Sequence, residues 1–326
     1  MREVTLTMHR TLPVVASALC ALVLSACTAS SVSAPPASSS NMGGAMVGQN
    51  SARALSSYDI LIRDAHGQIQ RAHIFKPRGA VQGQAGGNNL NYGGGSIQST
   101  PKIFVVYWQF PRYGDPSGEQ TQLHNFYSGI GGSSWLNTDT QYYGPVGTFV
   151  GNPAGQLAGE WVDTTHSIPR RLTTTSIANE ALNAVAHFGY NFNAAYVVAT
   201  PHGHNTSGFG TQFCAWHSSE SSSSGSVAFT NMPYITDAGA SCGANFNGLG
   251  PKAGITIVSG HEEAETQTDP VPPSGWVDSS GAEIGDKCAW ISSGQGASQN
   301  VTFSTGTFAV QSLWDNKISG CAISGP

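Results

Sequence analysis

Two uninterrupted apolar runs, Lys102-Ile-Phe-Val-Val-Tyr-Trp108 and Ala194-Ala-Tyr-Val-Val-Ala-Thr200, leave little choice about the centre of the fold. Short runs dense in β-branched and aromatic residues have the pattern of strands buried on both faces. Between them, residues 176–188 carry Ile177, Ala181, Val185 and Phe188 at helical spacing, with Thr and Ser ahead as cap candidates. Residues 117–130 can hold another helix, with Leu123, Phe126 and Tyr127 on one face. Residues 226–230 and 232–235 suggest further strand. Strand, helix, strand in that order predicts an α+β or α/β fold, a mixed sheet packed with a few helices and joined by Gly/Ser-rich loops. No period of repeat length recurs; Cys-Ala-Trp appears at 214–216 and 288–290, too short to be a repeat.

The polarity of the remainder comes from Ser, Thr, Asn, Gln and Gly rather than from charge. Only 10% of the 326 residues are charged, against about 25% in an ordinary soluble protein. That excludes a charged helical bundle or a coiled coil, whose solvent faces need Glu, Lys and Arg. The net charge is -5 with 14 Lys and Arg and no basic cluster, so the footprint of a nucleic-acid binder is missing.

Arg2 and Arg10 precede an apolar run at 11–24, shorter than the ~20 apolar residues a membrane span needs. It has the length and charge order of a secretory signal, with Met8-His9-Arg10 a compact start by itself. The run ends Leu24-Ser25-Ala26-Cys27, which resembles a bacterial lipobox. Residues 1–26 are therefore expected to be removed and Cys27 to carry lipid, the membrane being reached only through it. The expected location is the cell envelope, at the outer membrane or cell surface; an ordinary signal cleaved a few residues later would give a secreted protein. Four cysteines then remain, Cys214, Cys242, Cys288 and Cys321, and an even number in an oxidising compartment predicts two disulfides. Three pairings are open. Cys214–Cys242 with Cys288–Cys321 is favoured because each closes a loop of about 30 residues, worth ~3 kcal/mol in the loop-entropy model.

Residues 27–55 are Ser, Ala, Gly, Pro and Met with almost no charge and read as a flexible tether. Residues 56–99 begin with alternation around His66-Gly67, a short strand pair, and then turn Gly/Asn-rich, a second linker or a long loop. The main globular domain is expected over 100–326.

The chemistry concentrates where Ala253-Gly-Ile-Thr-Ile-Val-Ser-Gly260 leads into His261-Glu262-Glu263-Ala264-Glu265 and Asp269-Pro270. Pro270 disfavours helical geometry at Asp269, so a helix over 253–268 is expected. His261 and Glu265 are four apart and share its face, with Glu262 about 100° around. This is the zincin pattern, His-Glu-x-x-His, with Glu265 in place of the second His. Two ligands four apart can grip one divalent ion. The Glu between them can take a proton from water polarised there and return it to the leaving group. Further ligands are expected from Asp269, Glu283 or Asp286. Of the 19 acidic residues, six stand at 262, 263, 265, 269, 283 and 286, and Asp278 is a seventh. Crowded carboxylates repel unless a cation lies among them. One imidazole among carboxylates makes zinc the first choice and calcium or manganese the alternatives.

A second group, His202-Gly-His204 and then Cys214-Ala-Trp-His217, follows the second strand, where loops of α/β folds carry function. His204, or His202, is a candidate to stabilise an oxyanion, and Cys214 beside a His is a candidate thiol nucleophile. No Gly-x-Ser-x-Gly elbow and no phosphate loop occur.

Ile103-Phe-Val-Val-Tyr-Trp108, Ser134-Trp135 to Tyr142-Tyr143, Tyr196-Val-Val-Ala-Thr200 with Phe213-Cys214, Thr268-Asp-Pro270 with Gly275-Trp276, and Leu313-Trp-Asp-Asn-Lys-Ile-Ser-Gly-Cys321 come in a shared order. In that order they resemble the EXORDIUM / phosphate-induced-protein family over residues 100–326. The resemblance implies one exported domain with its cysteine framework. Plant members are apoplastic growth-associated proteins with no enzyme chemistry to carry over. Bacterial relatives are similar to this chain at His261-Glu262-x-Ala264-Glu265, Thr268-Asp269-Pro270, Gly275-Trp276 and Glu283-Ile284-Gly285-Asp286-x-Cys288.

The leading expectation is an exported, lipid-anchored, metal-dependent hydrolase, a zincin-like peptidase acting on a peptide or cell-envelope substrate. His261 and Glu265 hold the ion, Glu262 is the base, Asp269, Asp286 or Glu283 completes the set, and His204 assists. The rival is a non-enzymatic extracellular module that binds cell wall or a surface partner. Its acidic site would hold structural calcium and its Trp residues would form stacking surfaces. A third reading is a thiol enzyme built on Cys214.

Overall fold

The computed structural model describes residues 54–81, 83 and 87–325. The expected signal peptide, the lipidation site Cys27 and nearly all of the tether lie outside the described residues. The strands are β1 (Asp59–Arg63), β2 (Ile69–Phe75), β3 (Asn91–Tyr92), β4 (Lys102–Trp108), β5 (Leu157–Asp163), β6 (Ala194–Ala199), β7 (Ala215–Ser222), β8 (Gly225–Met232), β9 (Trp276–Val277), β10 (Gln299–Phe303), β11 (Gly306–Val310), β12 (Leu313–Asp315) and β13 (Gly320–Ala322). The α-helices are α1 (Phe110–Tyr113), α2 (Glu119–Ile130), α3 (Thr174–Phe188) and α4 (Ala253–Thr268).

Seven strands form one mixed sheet in the order β1-β2-β7-β8-β6-β4-β5. The half made of β8, β6, β4 and β5 is parallel, and β7, β2 and β1 extend it antiparallel. This is the expected α+β fold. The two apolar runs become β4 and β6, neighbours at the middle of the parallel half, where both faces are covered. On one face α3 packs Ile177, Ala178 and Ala181 against Val106, Tyr196, Val198 and Trp216. Thr173 caps that helix by accepting from Ser176 N. On the other face α2 and α4 bury Leu123, Phe126, Ile255, Ile257 and Val258 with Val105, Tyr107 and Val197.

The main domain does not start at residue 100. β1 and β2 belong to the same sheet, and β2 pairs with β7. The Gly/Asn-rich stretch then enters the interior, with Leu90, Ile97 and Gln98 buried and Gln98 N donating to Gln267 O at 2.9 Å. The boundary lies near residue 56, because without β2 the strand β7 would be an open edge.

Cys214 is bonded to Cys242 and Cys288 to Cys321, the pairing that closes the shorter loops. Cys214 therefore has no thiol, which removes the thiol-enzyme reading. Two disulfides are consistent with an exported protein. No helix among the described residues is long and apolar enough to cross a membrane.

Candidate metal centre

Every residue of α4 is buried. Its first two turns are apolar, as a helix enclosed on all sides should be. The turns that follow are not, and each buried polar group there needs a partner. Thr266 and Thr268 bond back to Glu262 O and Ala264 O. Gln267 bridges Gln156 and Glu263 at 2.9 Å each. Burial pushes Glu263 up to about 8. The other helix face carries His261, Glu262 and Glu265 toward the sheet.

Opposite them stand two histidines in register across neighbouring strands, His73 on β2 and His217 on β7. Cross-strand partners share a sheet face, so both imidazoles point at α4. The loop after β9 supplies Glu283 and Asp286. It reaches the site because residue 285 is Gly: a Cβ there would lie 2.5 Å from His261 Nδ1. Phe75 stacks on His261 with ring centroids 3.7 Å apart, fixing the plane of the imidazole.

His261 Nε2 is 3.1 Å from Glu265 Oε2 and 3.9 Å from Asp286 Oδ1. His73 Nε2 is 2.7 Å from Asp286 Oδ2 and 4.0 Å from Glu265 Oε2. His217 Nδ1 is 3.1 Å from Glu262 Oε2 and 3.8 Å from Glu265 Oε2. Ligand atoms ~2.1 Å from one ion lie ~3.0–3.4 Å apart when adjacent and ~4.2 Å apart when opposite. The donors fall into two groups that share Glu265, one with His73 and Asp286 and one with His217 and Glu262, while His261 Nε2 approaches Glu265 Oε2 at 3.1 Å.

The electrostatics point the same way. Glu262, Glu265, Glu283 and Asp286 are each at most 1% exposed, and among the described residues no Lys or Arg is ion-paired with them. Burying a carboxylate costs several kcal/mol unless it is compensated. Burial, with Glu265 next to them, pushes Glu262 and Asp286 up; burial does the same to Glu283. Burial also acts on Glu265, but His261, His73 and His217 outweigh it and hold that carboxyl at about 2. Burial disfavours the charged form of His73, yet Glu283 and Asp286 overcome it and raise its pKa well above 6.5. His217 is pushed down to about 3 by burial. Even so, His261 Nε2, Glu262 Oε1, Glu265 Oε2 and Asp286 Oδ1 have no hydrogen-bond partner.

The remaining imidazole nitrogens face outward acceptors. His73 Nδ1 lies 3.3 Å from Glu283 Oε1, and His217 Nε2 lies 3.7 Å from Glu283 Oε2. His261 Nδ1 lies 3.3 Å from Gln311 Oε1, whose Nε2 donates to Gly285 O at 2.7 Å. Of these, the His261–Gln311 contact is a hydrogen bond and leaves His261 Nε2 facing the site, while His73 Nδ1 and His217 Nε2 lie beside the Glu283 carboxyl without one.

Of the residues expected from sequence, His261, Glu262, Glu265, Glu283 and Asp286 are thus brought together, with Glu283 behind the imidazoles rather than among the converging atoms. Asp269 is buried at the end of α4 and turned to the 271–275 loop, where its partners are Ser274 and backbone N–H groups. Burial raises it to about 7. His204 is elsewhere: its ring packs on Tyr113 at 3.9 Å and its Nδ1 on His202 O, and His202 pairs with Asp237 at 2.6 Å. His73 was not foreseen at all and His217 was not foreseen as a ligand. A cleft of about 420 Å³, lined by Tyr58, Asn88, Asp278, Asp286 and Lys287, reaches the cluster at Asp286. Comparison of the chain with family models, curated proteins and solved structures finds no match.

Proposed function

We propose that the chain is an exported metal-dependent hydrolase, with His73, His217, His261, Glu265 and Asp286 holding one divalent ion and Glu262 carrying the proton. The observation that supports it most is the meeting of buried ligand atoms around Glu265, among them the unpartnered His261 Nε2, Glu265 Oε2 and Asp286 Oδ1. A bound ion would supply an electrophile and acidify water. Glu262 Oε2 lies beside His217 Nδ1, and the unpartnered Oε1 is the atom placed to accept a proton and return it to a leaving group. Three imidazoles beside two carboxylates favour zinc, then manganese. Calcium prefers an all-oxygen set of 6–8 ligands. The cleft at Tyr58 and Asp286 is the approach for a substrate, a peptide or another amide of the cell envelope. Lipid attachment at Cys27 and kinship with the bacterial EXORDIUM-like proteins belong to the same reading.

The rival, a binding module with a structural ion, is favoured by the depth of the site, since none of the five ligands exceeds 1% exposure. Against it, six of the seven Trp residues are buried, and only Trp161 is partly open to stack on a glycan. Glu262→Gln separates the two. Hydrolysis of a peptide panel should fall by about 100-fold or more, with metal content and melting temperature kept. An unchanged rate would contradict the assignment of Glu262, and a panel untouched by the wild-type chain would favour the module.

A further inference from the structure

The opposite face of the sheet carries another set of metal-ligand side chains, unconnected with the α4 centre. β5 ends at Asp163, α3 passes over it at Glu180, and His166 stands in the loop between. One ligand atom from each lies within 4.8 Å of the others. Asp163 is fully buried and Glu180 is 1% exposed. The Asp163 carboxylate accepts from Thr165 N and Thr165 Oγ1, both at 2.7 Å, and faces His166 Nδ1 at 2.9 Å. Glu180 Oε2 accepts from Asn183 Nδ2 at 2.9 Å, and Glu180 Oε1 is buried without a partner.

The Asp163 and Glu180 carboxyl groups are buried neighbours, and a cation among them would offset their mutual repulsion. The loop is not loose at this point. His166 O accepts from Trp108 Nε1 at 2.8 Å and from Gln109 Nε2 at 2.9 Å. A cavity of about 290 Å³ opens beside His166 and Glu180, bounded also by Trp108, Ser176, Asn179 and Asn183. The four from α3 fall at positions that share one helix face.

We propose that Asp163, His166 and Glu180 form a second divalent-cation site, open to solvent and independent of the α4 centre. One imidazole and two carboxylates suit Mn²⁺ or Zn²⁺. They come from a strand end, a tied loop and a helix, so the three donors are held before the ion arrives. Three protein ligands leave coordination positions facing the cavity, where water or the oxygens of a bound ligand can enter. Asn179 and Asn183 offer amides to such a ligand.

Titration of the purified chain with Mn²⁺ tests this, with free ion followed by electron paramagnetic resonance and solvent access by water-proton relaxation. The expected result is one exchangeable, water-accessible Mn²⁺ per chain. Its affinity should fall at least tenfold in Glu180→Gln and in His166→Ala, and stay unchanged in Glu262→Gln. His166 is half exposed, so its variant tests the site without disturbing the core. No exchangeable Mn²⁺ in the wild type, or uptake unchanged in both variants, would overturn the proposal.

Discussion

His73 and His217 face each other across β2 and β7, and each lends one nitrogen to the converging atoms and the other to Glu283. Glu283 is therefore read as the negative charge behind two imidazoles, and not as a ligand. Replacing it with Gln removes that charge. Metal affinity should drop about 10–100-fold, while a Co²⁺-substituted protein keeps its visible absorption bands. Altered bands at full occupancy would instead make Glu283 a ligand. At this scale the sequence was partly legible. His261, Glu262 and Glu265 announce themselves because helical spacing is local. Glu283 and Asp286 were suggested by acidic crowding alone. His73 and His217 were hidden because a register between strands far apart in the chain brings them together. The available signal was an imidazole inside each strand, His73 between Ile74 and Ala72 and His217 after Trp216, where solvent was not expected.

α4 shows why local pattern reaches only so far at the scale of elements. Its limits were readable from the apolar lead-in and Pro270, but its burial was not, since the His/Glu half looks like a solvent face until β2, β7 and the 283–286 loop close over it. β7 was missed for the opposite reason. Ala-Trp-His-Ser-Ser-Glu-Ser-Ser has little strand propensity, yet its first six residues are buried between β2 and β8. α2 offers a test away from the metal centre. Glu119, in its first turn, is buried, which raises its carboxyl, while Ile235 N donates to its Oε1 at 2.9 Å. An acid whose folded-state pKa is raised stabilises the fold below its unfolded value and loses that contribution as pH rises through the folded one. Glu119→Gln keeps the acceptor and removes the charge. Its melting temperature should match the wild type near pH 4.5 and exceed it by a few degrees at pH 8. A difference that does not grow with pH would contradict the assignment.

Over the whole molecule, the centre brings together the second strand of the sheet, its Ser-rich neighbour, the buried helix and the 283–286 loop. The fold class was readable from β4, α3 and β6, because those segments pattern locally. The start of the domain was not, because β2 earns its place only by pairing with β7. An ion held by these four elements would stabilise the folded state by mass action. Stripping it with a chelator should therefore cost roughly 3–4 kcal/mol if the ion is present at 100–1,000 times its dissociation constant. That loss, read as a fall in melting temperature, should be reversed by zinc; no fall would mean the network is neutralised by protons alone. The most direct measurement is the metal content of the purified, dialysed chain by mass spectrometry, beside His261→Ala/Glu265→Ala with folding checked by circular dichroism. One firmly held zinc or manganese per chain, lost in the folded double variant, is the predicted result. A folded wild-type chain without a firmly held ion would contradict the account.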